Sequence, residues 1–240
     1  MNILGLNVFH ADTSACIIKN GKIISAVEEE RFTRVKHFSG FPKNSIDFCL
    51  SEANLKISEI DYICVNYNKN YNFKEKLIFS FKNFYKSNFF RRAFFSLRKN
   101  SLNKSFMKNY EEDVSSKVVF VPHHLAHICS TFLFNKINED CLGFSFDGSG
   151  DFSTVEIYSL GKEIKLLEKI NYPNSLGIFY QAFTQFLGFK NYGDEYKVMG
   201  LASYGKPVYK DRIIKILKSK QKAFFELDLK YFDHHETVID

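Results

Sequence analysis

The feature that most constrains this chain is a three-strand pattern that occurs twice, about 140 residues apart. From Ile3 the sequence runs ILGLNVF, then SACIIK from Ser14 and KIISAVEE from Lys22, with Asn20-Gly21 as a two-residue hairpin signal between the last two. From Leu142 it runs LGFSFD, then DFSTVEIYS from Asp151 and KEIKLLEKI from Lys162. Leu142-Gly143 answers Leu4-Gly5 at an offset of 138, and Gly161-Lys162 answers Gly21-Lys22 at 140. That period is too long for a solenoid unit and points to duplication of a sheet-bearing half-domain. The turn after each first strand is rich in small polar residues: His10-Ala11-Asp12-Thr13-Ser14 and Asp147-Gly148-Ser149-Gly150-Asp151. Backbone N–H groups and hydroxyls in such turns hold anions, and glycine permits close approach, so the pair reads as a phosphate clamp.

Around these strands the pattern predicts a helix over Pro42 to Ala53, a strand over Tyr62 to Tyr67, a strand over Lys117 to Val121 and a helix from His123 to about Phe134. The expected class is α/β with mixed sheets, divided into a first half over 1–139 and the start of a second half over 140–240. In the second half, helices over Leu176 to Leu187, Glu195 to Ser203 and Asp211 to Lys218 use up the sequence before further crossover strands. The second half therefore reads as incomplete, the front part of a longer protein, with an unpaired sheet edge and an uncovered apolar face.

Charge is concentrated. Lys69 to Lys108 holds eleven Lys and Arg against the single acid Glu75, and glycine is absent between Gly40 and Gly143, so the basic segment near 69–115 should be largely helical. Phe73, Leu77, Phe81, Phe84 and Tyr85 follow helical spacing with Lys74, Lys82 and Lys86 between them. A layer packed on the domain is the first reading of that helix, and a membrane-surface or polyanion contact the second. The five cysteines form no C-x-x-C and sit mostly in apolar runs, as reduced thiols do. With no signal-like leader and no apolar run near the ~18 residues of a membrane span, the expected location is cytoplasmic.

Two histidines carry the clearest chemistry. His123 and His127, in HHLAH, are four apart, so on a helix both imidazoles leave one face one turn apart. Asp147 ends the following strand, where a carboxylate can reach the same crevice. Two imidazoles and a carboxylate suit Fe(II), Zn(II) or Mn(II), with Mg(II) as a further candidate; capping or packing is the alternative for the histidines.

Six blocks in order, FHADTSACII (9–18), EEERFTRVKH (28–37) with GFP (40–42), HHLAH (123–127), DGSGD (147–151), SLGIFYQAFTQFLGF (175–189) and GDEYKVMGLASYG (193–205), carry a family likeness. The chain resembles the nodulation- and cephamycin-type O-carbamoyltransferases, whose N-terminal domain is related to the tRNA threonylcarbamoyladenosine synthase and has the duplicated RNase H-like, actin-like ATPase fold. The resemblance implies ATP and carbamoyl phosphate as substrates, carbamoyl adenylate as intermediate, and a hydroxyl acceptor such as a sugar or secondary metabolite. It implies that His123, His127 and Asp147 ligate a divalent metal, that His10 and Lys36 serve the carbamoyl group and phosphate, and that Asp147, Gly148, Ser149, Gly150 and Asp151 hold nucleotide phosphates. The family's remaining metal ligand, an aspartate, has no counterpart up to Asp240. A neutral imidazole can shuttle a proton and a fixed ammonium can offset phosphoryl charge, although His10 also suits a plain turn and Lys36 a solvated loop.

In the last two blocks packing accounts for most residues: Ser175 caps a helix whose Leu176, Phe179, Phe183 and Phe186 face a core, and Asp194 caps one containing Val198 and Leu201. Lys197 stands out there as a candidate nucleotide contact. His234-His235 is set aside as a mobile chain end. Two other readings compete: a nucleotide- and metal-binding module without full activity, and a non-catalytic nucleic-acid or membrane-surface protein using the basic segment. The leading reading expects no nucleic-acid partner and no membrane span, and a second copy of the chain is a candidate partner.

Overall fold

Alternation along the first strand puts Leu4, Leu6 and Val8 on one side, and all three are buried. In the computed structural model, which describes residues 1–83, 102–133, 139–220 and 224–236, this strand is the centre of a mixed sheet. Strands β1 (Asn2–Asn7), β2 (Ser14–Lys19), β3 (Lys22–Glu28), β4 (Tyr62–Val65) and β5 (Val118–Phe120) lie in the order β3-β2-β1-β4-β5. β1, β2 and β3 pair antiparallel, while β4 runs parallel to β1 and β5 parallel to β4. An antiparallel meander followed by parallel strands makes this the mixed sheet expected for the first half. Asn20 and Gly21 both take positive φ in the β2–β3 turn, as a two-residue hairpin requires.

The described residues fall into two compact units, one of 1–68 with 102–122, the other of 69–83 with 123–236. In the first, the helix Lys43–Ala53 lays Ile46, Cys49 and Leu50 against β2 and β3, and the helix Leu102–Tyr110 contributes Leu102 and Phe106 to the same core. Phe106 meets Phe41 edge to face at 5.2 Å between ring centroids. Each such fully buried side chain is worth roughly 1.5–3 kcal/mol. All five cysteines are free thiols, with burial pushing Cys16, Cys49, Cys64 and Cys129 up.

The second unit repeats the meander: β6 (Cys141–Gly150), β7 (Ser153–Leu160) and β8 (Ile164–Asn171) pair antiparallel in the order β6-β7-β8. The helix His123–Phe132 and the stretch 69–83, which the sequence division groups with the first half, belong to this unit. Among the described residues β6 is an edge strand, and Leu142, Phe144 and Phe146 are each more than half exposed. Their counterparts at the 138-residue offset are the buried Leu4, Leu6 and Val8.

Several expected elements differ. The helix Phe73–Asn83 forms, but Phe73, Leu77 and Phe81 are exposed, and the face that packs carries Phe79, 5.5 Å from both Phe152 and Tyr172. Contacts made by Glu75 and Phe79 fix the rotation of this helix, so its apolar spacing misleads; Phe84, Tyr85, Lys86 and Phe134 lie outside the described residues. Asp211 to Lys218 is not one helix: a turn at Lys210–Ile213 gives way to β9 (Leu217–Lys220), paired with β10 (Phe224–Leu227). The branched Ile213, Ile214 and Ile216 disfavour a helix, and Leu217 and Phe225 join Val155, Ile157 and Ile170 in a core. His234 is buried rather than loose, its Nε2 2.9 Å from the Pro173 carbonyl and its own carbonyl accepting from the Tyr172 hydroxyl.

Candidate functional site

The sharpest cluster lies in the second unit. The helix His123–Phe132 starts directly after Pro122, and its first N–H, on His123, donates to Asp151 Oδ2 at 2.9 Å, satisfying an otherwise orphan helix donor. One turn of helix then sets the His123 and His127 rings 4.7 Å apart, with their Nε2 atoms 3.0 Å from each other. Asp147 Oδ2 lies 2.6 Å from His123 Nε2 and 3.7 Å from His127 Nε2. One ligand atom from each of the three falls within 4.8 Å of the others.

Local sequence explains why these side chains converge. Residues 147–150 are the far end of β6, where the β6–β7 register shifts between Phe146 and Gly150. The bulge turns Asp147 toward the histidines. The reversal itself is at Asp151-Phe152, both with positive φ. Gly150 is required by His123: a Cβ there would lie 2.1 Å from His123 Cδ2 and 2.3 Å from Cγ. Gly177 serves the other side, since a Cβ would come 2.5 Å from Gly148 N. Ser175 caps the helix Leu176–Phe186 as expected, its Oγ accepting from Ile178 N at 3.1 Å, and the same hydroxyl donates to the Asp147 carbonyl at 3.0 Å. Glycine and serine thus bring a helix N-terminus onto the backbone of Asp147 and Gly148.

Electrostatics favour an ionised carboxylate. Burial alone would raise the Asp147 carboxyl, but hydrogen bonds to His123 and His127 outweigh it, with help from the Gly148 N–H, and hold it well below the usual carboxylate range. Two imidazole nitrogens and a carboxylate oxygen crowded in this way match the donor set of a divalent cation, which would relieve the contact between the two rings. The residues present fit such an ion. Next to them, His124 is buried with Nδ1 2.7 Å from Ser145 Oγ, and burial pushes its imidazole toward the neutral form.

In the first unit, His10 and Lys36 sit on two loops stitched together by backbone: Phe9 N donates to Gly40 O at 3.0 Å and Thr13 N to Phe38 O at 3.2 Å. Asp12 Oδ1 is 2.8 Å from His37 Nδ1 across the same seam. Phe9, Asp12, Arg34 and His37 all have positive φ, a concentration of left-handed non-glycine residues typical of functional loops. Lys36 is exposed but tethered, with Nζ 3.2 Å from Glu30 Oε1. Its hydrogen bond, followed by that of the His37 N–H, holds the Glu30 carboxyl low. Underneath, the buried Glu29 accepts from Asn44 N, Asn44 Nδ2, Ser45 N and Ser45 Oγ at 2.7 to 3.1 Å, clasping the start of the helix Lys43–Ala53.

The structure therefore brings His123, His127 and Asp147 together, with Gly148, Ser149, Gly150 and Asp151 directly following, and it ties the loops of His10 and Lys36 to each other. Lys197 is on the helix Glu195–Ala202, paired with Asp194 at 2.6 Å; that hydrogen bond raises the Lys197 ammonium and lowers the Asp194 carboxyl. Asp194 does not cap this helix with its side chain, because its carboxylate is taken by Lys197 and the Asn191 N–H. Phe186 is exposed at the end of its helix instead of facing a core, while Leu176 packs on the core of Val155, Ile157, Ile170 and Phe225, and Phe179 meets Phe232 at 6.3 Å between ring centroids. Sequence reasoning missed Glu29 and the pairing of Asp12 with His37; for Glu29 the adjacent acids at the end of β3 were the available signal.

The family described as carbamoyltransferase N-terminus matches residues 2–239. An uncharacterized protein of Synechocystis is 34% identical over 97% of this chain and 40% of its own length. The nodulation protein NolNO of Sinorhizobium fredii is 34% identical over 84% of this chain and 29% of its own length. Among solved structures, component A of the (R)-2-hydroxyglutaryl-CoA dehydratase of Acidaminococcus fermentans is similar with a TM-score of 0.41 at 14% identity, over 89% of this chain and 72% of that one. The chain spans less than half the length of these two curated relatives.

Proposed function

Because the chain belongs to the carbamoyltransferase N-terminus family, we propose that it forms the nucleotide- and metal-binding part of an ATP-dependent O-carbamoyltransferase. The observation that carries this reading is the convergence of His123, His127 and Asp147 beside a glycine-rich bulge and a helix N-terminus, in a chain of that family. The reaction has three balanced steps. Water cleaves carbamoyl phosphate to carbamate and inorganic phosphate. A carbamate oxygen attacks the α-phosphorus of ATP, and the bond to pyrophosphate breaks to leave carbamoyl adenylate. An acceptor hydroxyl, on a sugar or secondary metabolite, then attacks the carbamoyl carbon, loses its proton to a base and expels AMP.

His123, His127 and Asp147 would hold the divalent ion, with Fe(II) favoured and Zn(II), Mn(II) or Mg(II) as alternatives. When bound, such an ion supplies positive charge against phosphate oxygens. Ser149 and Gly150 would offer hydroxyl and backbone donors to the nucleotide phosphates, and Gly148, whose N–H is engaged by Asp147 Oδ1 at 2.6 Å, would permit their close approach; one oxygen of Asp151 is engaged by the His123 N–H. Lys197 is a candidate nucleotide contact if it exchanges Asp194 for phosphate. His10 would move a proton at the carbamoyl phosphate, and Lys36, fixed by Glu30, would offset charge on the leaving phosphate.

The test is pyrophosphate release in the full polypeptide encoded by the gene, with ATP and with or without carbamoyl phosphate. Release should require both. Lys36→Ala should leave ATP affinity nearly unchanged and slow release by about 100-fold, as loss of a charge stabiliser in a transition state does. Release without carbamoyl phosphate would contradict the reaction, and an undiminished rate in Lys36→Ala would remove Lys36 from it.

A further inference from the structure

The stretch 69–83 is the beginning of the basic segment, and its packing gives it a task unrelated to charge. Asn72 is buried just ahead of the helix Phe73–Asn83, with a φ of 55°. Its Nδ2 donates to the Asp151 carbonyl at 3.2 Å and to Ser153 Oγ at 2.7 Å. Its Oδ1 accepts from Lys169 Nζ, and Lys169 in turn pairs with Glu75 at 2.9 Å. Ser153 Oγ in turn donates to the buried Glu156 at 2.8 Å, and every polar atom of Asn72's side chain is committed.

What Asn72 grips is the two-residue turn Asp151-Phe152, whose positive φ values L-residues adopt only at a cost. Such a turn needs external support, and its Asp151 carboxylate is the group that receives the first N–H of the histidine helix at 2.9 Å. The contacts form one line: Glu75 and Lys169, Asn72, Asp151, His123. Gly150, directly before the turn, is the residue against which the His123 ring rests. A shift of the turn therefore moves both the helix start and the floor under His123.

We infer that Asn72 is a positioning residue for the His123–His127–Asp147 cluster, acting through the Asp151 turn; this rests on the reading of that cluster as a divalent-metal site. Residues that orient metal ligands from behind typically alter affinity 10- to 100-fold when lost.

The experiment titrates the metal-free full chain with Co(II), reading the dissociation constant and the visible absorption bands, which report coordination geometry. Asn72→Gly keeps the left-handed backbone and removes the amide. It should weaken Co(II) binding by about 10-fold or more and change the spectrum, and Asp151→Gly should do the same. Phe225→Leu is the control: it trims a buried core side chain of the same unit that takes no part in the Asn72 contacts, so it should lower the melting temperature while leaving Co(II) affinity and spectrum as in the parent. Should the glycine variants fail to fold, Asn72→Asp, equal in volume but without the donor, decides by the same readouts. Parent-like affinity and spectrum in the Asn72 variants would overturn the inference. So would an equal loss in Phe225→Leu, which would mark general destabilisation. A parent that binds no Co(II) would overturn the metal reading itself and this inference with it.

Discussion

Gly150→Ala tests the cluster with the smallest chemical change. The φ of Gly150 lies outside the left-handed region, so alanine is not refused by the backbone, and the whole effect comes from one methyl group. That methyl would stand 2.1, 2.3 and 2.8 Å from His123 Cδ2, Cγ and Cβ. Carbon atoms settle at roughly 3.5 Å or more, so the ring must retreat by more than about 1 Å. Coordination distances tolerate only about 0.2 Å. His123 cannot retreat freely, since its backbone N–H is held by Asp151 and its Nε2 by Asp147. We expect overpacking to cost about 1–3 kcal/mol of stability and divalent-metal affinity to fall about 10-fold or more. Isothermal titration with Zn(II) measures the second, and urea unfolding of the metal-free protein the first. Gly148→Ala is the comparison, because nothing lies within 4 Å of its added Cβ; it should match the parent in both assays. Parent-like metal affinity in Gly150→Ala would refute the reasoning, since His123 would then not depend on the space that glycine leaves.

Three other outcomes follow from the same contacts. The Asp147 carboxyl is held lower in the folded than in the unfolded chain, so its contribution to stability is present above about pH 4 and lost as pH falls further; without metal, the parent should melt above Asp147→Asn at neutral pH, and a gap that fails to close on acidification would contradict the assignment. Ser175→Ala removes the cap on Ile178 N and the donor to the Asp147 carbonyl, and should cost about 1–2 kcal/mol in urea unfolding, whereas a neutral result would show that the hydroxyl holds neither. Glu29→Ala strips four hydrogen bonds from the start of the helix Lys43–Ala53 and should destabilise by about 3 kcal/mol; a loss below about 1 kcal/mol in the same assay would mean water replaces the carboxylate there.

What could be read from the residues was what local geometry dictates. Helix pitch alone places His123 beside His127, the Asn20-Gly21 pair alone demands a hairpin, and period-two alternation gives both antiparallel meanders. The bulge that turns Asp147 toward the histidines was not legible, because it depends on β7 pairing with β6 out of step. The rotation of the helix Phe73–Asn83 was not legible either: its apolar stripe indicates one face, but Glu75 and Phe79 meet partners far along the chain, at Lys169, Phe152 and Tyr172. Glu29 and Asn72 are invisible for the same reason, since an acid or an asparagine in isolation gives no sign that it will be buried. Gly150 was noticed as a place for a phosphate to approach; its packing shows that it makes room for a histidine.

The proposed activation of a carbamoyl group as an adenylate is tested most directly by mass spectrometric detection of that species. The full polypeptide would be mixed with ATP and carbon-13-labelled carbamoyl phosphate in the absence of acceptor, and quenched in the time of one turnover. The account predicts labelled carbamoyl adenylate together with equal amounts of pyrophosphate and inorganic phosphate, all lost when His123 and His127 are both replaced by alanine. Label that appears only in free carbamate or its decomposition products, with ATP intact, would contradict it.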